Sequence, residues 1–176
     1  MIRKAVIMDE DRIKRAIARI SYEIAERNKG IDDLAIIGIM SRGVHIASRI
    51  ADKLSEIEGY SGGYGILDIT SHRDDEKKIA DSDRTDIPFD IKDKNIVLVD
   101  DVIFTGRSCR AAIDAIMCRG RPRSIQLAVL VDRGHRELPV RPDYVGKNVP
   151  TGRDETVKVM LKEQDGCDMA VILADE

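Results

Sequence analysis

The chain has 176 residues and a formal net charge of −3, which fits a single domain with its own hydrophobic core and excludes a strong overall attraction to nucleic acid. Hydrophobic residues make up 43% of the chain and charged residues 35%, as in an ordinary globular protein. The cysteines Cys109, Cys118 and Cys167 form no Cys-x-x-Cys pair, so we expect neither a disulfide framework nor a structural zinc site.

The apolar runs of the chain are short. None approaches the length of about 20 residues that a membrane span requires. The first residues carry charges where a signal peptide has its apolar stretch. Together with the cysteine pattern, these observations predict a cytoplasmic protein that has no membrane partner.

Helical and strand patterns alternate along the first half of the chain. Isoleucines at helical spacing over 9–28 predict an amphipathic helix with Asp9 as its N-cap. The apolar run 34–39 predicts a buried strand, and a second helical pattern follows it. The run 64–69 predicts another strand, whereas 71–88 is polar, charged and aperiodic, which indicates a flexible loop.

The second half continues the alternation. The run 96–99 predicts a buried strand, after which a turn through Thr105 and Gly106 opens a third helix. Further strands are predicted over 125–131, 157–161 and 169–173. Strands that alternate with helices favour an α/β fold, with a mainly parallel central sheet flanked by helices in one domain over 1–176. Ligands of such sheets bind beyond the carboxyl ends of the strands, where the motifs of this chain fall.

The segment 97–108 joins a buried strand to a helix through two adjacent acids, Asp100 and Asp101. The free amides at the start of the helix form an anion site, and Gly106 lets the backbone approach a phosphate. The carboxylates suit sugar hydroxyls or a magnesium ion carried by the substrate. A phosphate, a cis-diol and Mg²⁺ together describe 5-phosphoribosyl-1-diphosphate (PRPP) better than a nucleoside triphosphate, and the chain has neither a P-loop nor a Rossmann motif. The predicted PRPP contacts are Val97, Asp100, Asp101, Val102, Thr105, Gly106, Arg107 and Ser108.

This segment resembles the PRPP-binding signature of type I phosphoribosyltransferases, with four apolar residues, two acids, an apolar spacer, Thr-Gly and a hydroxyl residue. The resemblance implies their single-domain fold, with a flexible loop at about 71–88 and a small hood at about 132–156. It implies that Asp100 and Asp101 are catalytic, holding the ribose hydroxyls and, through the substrate, Mg²⁺. Arg73 in the loop is the candidate catalytic residue that meets the diphosphate when the loop closes.

Two other strand ends carry supporting motifs. The turn 38–43 is expected to hold the leaving diphosphate through backbone amides and a positive charge. Its predicted ligands are Ser41, Arg42 and Gly43. In the resembled family the base is recognised beyond the strand 125–131, which implies contacts from Val131, Asp132, Arg133 and Gly134.

Nearly the whole chain, most specifically 124–150, closely resembles one subfamily, the bifunctional pyrimidine operon attenuation regulators and uracil phosphoribosyltransferases. The resemblance implies conversion of uracil and PRPP to UMP and diphosphate. It also implies UMP-responsive binding of a stem-loop in an mRNA leader, by a homodimer or homohexamer. The implied RNA-binding residues are Arg15, Arg19, Arg42, His135, Arg136 and Arg141. Ala18 and Tyr22 stand where the subfamily tends to carry Thr and His on its RNA face, which favours weaker RNA binding.

Two alternative functions remain open at this point. The first is a phosphoribosyltransferase for a purine or another base, although Asp132 has no aromatic neighbour in the base segment to stack on a purine. The second is an RNA-binding regulator whose catalysis is vestigial. Cys109 lies one turn into the phosphate-site helix, and we interpret it as an inert small residue rather than a reactive thiol.

Overall fold

A computed structural model of the protein describes residues 1–74 and 82–174. Its strands are β1 (Ile2–Met8), β2 (Leu34–Ile39), β3 (Gly65–Leu67), β4 (Asn95–Ile103), β5 (Ser124–Asp132), β6 (Tyr144–Asn148), β7 (Thr156–Met160) and β8 (Met169–Ala174). Its α-helices are α1 (Glu10–Arg27), α2 (Arg42–Glu58), α3 (Arg107–Met117) and α4 (Lys162–Asp165), and a 3₁₀ turn covers Thr70–His72. The middle of the predicted flexible loop, residues 75–81, lies outside the described residues.

The central sheet has five parallel strands in the order β3-β2-β4-β5-β6, which confirms the predicted α/β architecture. Gly38 of β2 pairs with Val99 of β4, and Ile103 at the end of β4 pairs with Asp132 of β5. The carboxyl ends of β2, β4 and β5 therefore lie side by side. The motifs that follow these strands are brought to one edge of the sheet.

Helices cover both faces of this sheet. Successive residues of a strand point to opposite faces, so neighbouring residues of one strand pack in different core clusters. Ile36 and Val97 belong to the core cluster that contains α1 and α2, whereas Ile37 and Leu98 belong to the cluster that contains α3. The first helix begins as predicted, since the Asp9 carboxylate accepts a hydrogen bond from the backbone N–H of Arg12 at 2.9 Å. Burial on both faces explains the nearly continuous apolar runs of β2, β4 and β5.

A second, antiparallel sheet has the order β1-β8-β7. The predicted strands 157–161 and 169–173 are therefore present, but they pair with the first strand rather than extend the parallel sheet. β1 and β6 were not predicted as strands from the sequence. Both lie at sheet edges and have few buried positions, so their apolar pattern is weak. In the described part of the chain, no helix is long and apolar enough to cross a membrane.

The strand predicted over 64–69 is shorter in the structure and ends at Leu67. The cause is the buried carboxylate of Asp68, which accepts hydrogen bonds from the backbone N–H of Thr70 at 3.0 Å and from Nε of Arg84 at 3.2 Å. Burial by itself would raise the pKa of Asp68, but these bonds lower it. Asp68 thus turns the chain after β3. It also links Thr70, just before the predicted loop, to Arg84 within that loop.

Candidate active site

The paired acids lie in β4 itself, because this strand runs past its predicted end at Val99 as far as Ile103. Asp100 Oδ1 accepts a hydrogen bond from the backbone N–H of Asp101 at 2.9 Å, and Asp101 Oδ1 accepts one from the backbone N–H of Val102 at 2.8 Å. Each carboxylate is therefore held by the next amide of the strand. Such a chain of local bonds fixes both side chains before a ligand arrives.

The two neighbouring carboxyl groups are partly buried, and their negative charges repel one another. Burial and the neighbouring charge of Asp101 raise the pKa of Asp100 well above its ordinary value, while Arg73 opposes the shift. Burial also raises the pKa of Asp101, against hydrogen bonds and the positive charge of Arg42. Arg73 thus offsets part of the negative charge of Asp100, and Arg42 offsets part of that of Asp101. The arrangement is suited to a ligand that brings positive charge or hydroxyl donors.

A cavity of about 390 Å³ opens beside Asp100 at the start of α3. It is lined by Arg73, Asp100, Val102, Ile103, Phe104, Thr105, Gly106, Arg107, Ser108, Cys109, Leu127, Val129 and Glu137. Most of the predicted PRPP contacts line this cavity, and Arg73 lines it as well. Asp101 does not line this cavity, and Val97 is fully buried in the core.

The entry to α3 requires a glycine. Gly106 has φ +93, and a methyl group there would lie 2.5 Å from a side-chain carbon of Val140. The carbonyl oxygen of Thr105 accepts hydrogen bonds from the backbone N–H groups of Glu137 and Leu138 at 2.9 and 3.1 Å. The loop after β5 is therefore packed onto the anion-binding turn. This packing joins the proposed phosphate and base segments into one site.

The side chain of Arg107 makes two ion pairs. It contacts Asp74 at 2.8 Å and Glu137 at 2.9 Å, and these acids raise its pKa. Arg107 thus links the segment that enters the predicted loop to the segment after β5. A phosphate at the α3 amides would compete with both carboxylates for this guanidinium.

The proposed diphosphate turn is pressed against the paired acids. A methyl group on Gly43 would collide with the carbonyl oxygen of Val99, and one on Gly38 would lie 2.5 Å from Cα of Val44. The two glycines therefore permit close packing of the α2 start on β4. The peptide bond between Met40 and Ser41 is cis.

Ser41 is exposed, and Arg42 forms a bidentate ion pair with Asp165, at 2.9 Å for the closer contact. Because Gly43, next to Arg42, packs against the Val99 carbonyl and the backbone of Asp100, the diphosphate turn lies beside the paired acids. Asp165 lies in α4, a part of the chain to which the sequence analysis assigned no role.

The side chains of the base segment are engaged within the protein. Asp132 pairs with Arg136 at 2.6 Å and accepts a hydrogen bond from the backbone N–H of Gly134. Arg133 is buried, and its guanidinium lies 4.0 Å from the centre of the Phe104 ring. Burial lowers the pKa of Arg133. The segment therefore offers a ligand mainly its backbone groups.

Phe104 was missed by the sequence analysis. Its ring lines the cavity, lies over Arg133 and meets the ring of His135 edge to face at 6.0 Å. The tertiary structure thus supplies the aromatic neighbour that the base segment lacks in sequence. Its sequence signal was weak, because Phe104 follows Val102 and Ile103 as one more apolar residue of the spacer between the two acids and Thr105.

The implied RNA-binding residues fall into separate places. Arg15 and Arg19 line a concavity of about 310 Å³ between α1 and β6, which Arg12 and Lys147 also line. Arg19 is anchored there, donating to the carbonyl oxygens at positions 145 and 146 at 3.2 and 2.7 Å. His135, Arg136 and Arg141 line another concavity, of about 640 Å³. Arg42 lines neither of these concavities, and Arg12 and Lys147 were not anticipated from sequence.

The fold is that of a phosphoribosyl transferase domain. The model of the phosphoribosyl transferase domain family matches residues 6–163. Among solved structures, a hypoxanthine phosphoribosyltransferase from Trypanosoma cruzi superimposes with a TM-score of 0.75 at 18% identity, covering 97% of this chain and 95% of that one. One from Staphylococcus aureus gives a TM-score of 0.65 at 18% identity, covering 85% and 80%. At such identities the likeness concerns the fold alone.

Proteins of similar sequence identify one family within the phosphoribosyltransferases. The chain is 54% identical over 176 residues to the bifunctional protein PyrR of Deinococcus radiodurans, covering 98% of this chain and 96% of the relative. It is 59% identical over 175 residues to that of Acetivibrio thermocellus, covering 98% and 95%. It is 55% identical to the pyrimidine operon regulatory protein of Lactococcus lactis over the full length of both chains. The chain therefore belongs to the PyrR family of phosphoribosyltransferases.

Proposed function

We propose that the protein transfers the phosphoribosyl group of PRPP to uracil, forming UMP and releasing diphosphate. One observation carries the proposal. Asp100 and the start of α3 line one cavity at the carboxyl edge of the sheet, and the α2 turn with Arg42 packs against β4 beside it. The identity of more than half with PyrR proteins supports the choice of uracil over other bases.

In the reaction, the bond between C1′ of the ribose and the diphosphate oxygen breaks, and a bond from N1 of uracil to C1′ forms. The N1 proton leaves to solvent. Positive charge develops on the ribose ring, and Asp100 and Asp101 stabilise it while they accept hydrogen bonds from the ribose hydroxyls. The amides of Gly106 to Ser108 hold the 5-phosphate. Arg42 and Arg73 meet the departing diphosphate.

Magnesium enters this scheme as part of the substrate. In the described part of the chain, no group of three His, Cys, Asp or Glu side chains is arranged to hold a metal ion. Asp100 and Asp101 still fit Mg²⁺ carried by PRPP, since adjacent carboxylates with raised pKa values gain from a nearby cation. The bound ion would neutralise charge on the diphosphate as it leaves.

The base is read by backbone groups of 131–134, because the side chains of Asp132 and Arg133 already have partners within the protein. We further propose that 71–88 acts as a flexible loop that excludes water during transfer and that 132–156 forms the hood over the base. A homodimer or homohexamer is the proposed assembly, which light scattering would test.

The test of catalysis is a side-by-side assay of uracil, hypoxanthine and orotate with PRPP, with and without Mg²⁺. We expect Mg²⁺-dependent formation of UMP and little product from the other two bases. Faster turnover of hypoxanthine or orotate would reject uracil as the substrate. An absence of any turnover would favour an RNA-binding regulator with vestigial catalysis.

A second function, UMP-responsive binding of a stem-loop in an mRNA leader, is favoured by the basic concavity at α1. Arg12, Arg15, Arg19 and Lys147 surround it despite the acidic total charge. Such a surface suits phosphates and unpaired bases of RNA. Filter binding with a pyrimidine-operon leader stem-loop, with and without UMP, tests this function. RNA retention that is the same for a scrambled stem-loop would reject it.

A further inference from the structure

The carboxylate of Asp165 forms an ion pair with Arg42, which lies 123 residues earlier in the sequence. Nη2 of Arg42 donates to Oδ1 at 2.9 Å, and Nε donates to Oδ2 at 3.2 Å. Oδ2 also accepts the backbone N–H of Leu161 at 2.9 Å, so the carboxylate is itself anchored. The two parallel bonds fix the plane of the guanidinium, which a single contact would leave free to rotate.

The ion pair is sheltered from solvent. The side chains of Arg42 and Asp165 are only 23% and 18% exposed, so salt screens the pair less than it screens a surface pair. The hydrogen bonds that Arg42 donates to Asp165 raise the pKa of Arg42 and lower the pKa of Asp165. Both groups therefore stay charged at neutral pH.

The orientation of Arg42 connects Asp165 to the chemistry. The pair uses Nε and Nη2 and does not involve Nη1. The positive charge of Arg42 also opposes the rise in the pKa of Asp101 that burial causes. Gly43, the next residue, packs against the Val99 carbonyl and the backbone of Asp100, so Arg42 stands at the α2 start beside the paired acids, where the diphosphate would depart.

We propose that Asp165 is a positioning residue for phosphoribosyl transfer, which holds the guanidinium of Arg42 ready for the diphosphate. The inference rests on the proposed function, since Arg42 meets a diphosphate only if PRPP is the substrate. α4 connects β7 to β8, so the antiparallel sheet contributes to the reaction through this residue. Preorganisation of this kind avoids the entropy cost of ordering a long side chain when the substrate binds.

A neighbouring ion pair provides the matched control. Glu163 of the same helix α4 pairs with Arg49 at 2.6 Å, and Asp168 holds Arg49 as well, at 2.8 Å. Arg49 lies about two turns beyond Arg42 on α2, away from the diphosphate turn. Glu163→Gln therefore removes a comparable charge from α4 and leaves Arg42 in place.

The test compares steady-state kinetics of Asp165→Asn with those of the control. The asparagine keeps an acceptor for the Leu161 amide but loses the charge that orients Arg42. We expect the KM for PRPP and the inhibition constant of diphosphate to rise about tenfold, with kcat within about twofold and the KM for uracil unchanged. Glu163→Gln is expected to match the wild type in all four quantities. Asp165→Ser, which retains a hydroxyl acceptor, replaces the asparagine variant if thermal unfolding shows that the latter does not fold.

A double-mutant cycle separates positioning from general structural support. In an Arg42→Ala background, Asp165→Asn is expected to change the KM for PRPP by less than about twofold, because Asp165 acts only through Arg42. The inference is overturned if the effect persists in that background, or if Asp165→Asn and Glu163→Gln give the same KM for PRPP. A wild-type protein without turnover would reject the proposed function and this inference together, whereas an active wild type with an insensitive Asp165 rejects the inference alone.

Discussion

Replacement of Asp100 by Asn is expected to stabilise the folded protein while it nearly abolishes transfer. Asp100 and Asp101 repel each other at the end of β4, and burial adds to the cost of the charge on Asp100. The asparagine keeps the side-chain oxygen that accepts the N–H of Asp101 but carries no charge. Such a trade of stability for activity is common at sites that are built to bind a charged ligand.

The size of the gain follows from the environment of Asp100. Relief of a partly buried repulsion is worth about 1–2 kcal/mol, after allowance for the favourable charge of Arg73 and for access of solvent from the cavity. For a domain of this length, that corresponds to a rise of about 2–8 °C in Tm. We expect UMP formation to fall by about 100-fold or more, because the acid that faces the ribose loses its charge.

The pH dependence of the stability difference between the wild type and Asp100→Asn tests this explanation most directly. When the pKa of a carboxyl group is raised in the folded state, the unfolded chain gives up the proton first and is favoured, so the penalty is absent below the ordinary pKa of 3.8, grows as the pH rises from there towards the folded-state pKa, and is fully present above it. The advantage of Asp100→Asn is thus expected to be largest at neutral pH and to shrink on acidification. Thermal unfolding of wild type and variant at several pH values measures this difference. A variant that is less stable at neutral pH, or equally favoured at every pH, would refute the reasoning.

Three further outcomes are expected. Gly43→Ala should lower the free energy of unfolding by about 2 kcal/mol or more, seen in urea unfolding, because the methyl group collides with the Val99 carbonyl. Arg19→Gln should weaken binding of the leader stem-loop and reduce its salt dependence by about one unit of slope, yet leave UMP formation unchanged; equal loss of both would contradict separate surfaces. Burial raises the pKa of the Cys109 thiol to about 11, so mass spectrometry should find iodoacetamide on exposed Cys118 well before Cys109, and the reverse order would contradict this environment.

Much of the fold could be predicted because its signals are local. The helix over 9–28 and the strand over 34–39 follow from apolar spacing within one segment, and the structure reproduces both within a residue. The edge strands β1 and β6 could not be predicted in this way, since few of their residues are buried and the pairing of β1 with β8 joins distant parts of the chain. The early end of β3 depends on Asp68, whose partner Arg84 lies 16 residues further on, within the predicted loop.

The sequence by itself determined the strand-to-helix turn with its acids, because a strand end, a glycine and a helix start occupy consecutive residues. Only the tertiary structure decided which distant side chains meet there: Phe104 over Arg133, and Arg42 with Asp165. Contacts of this second kind depend on strand register and on how closely helices pack, and no periodicity within a segment encodes them.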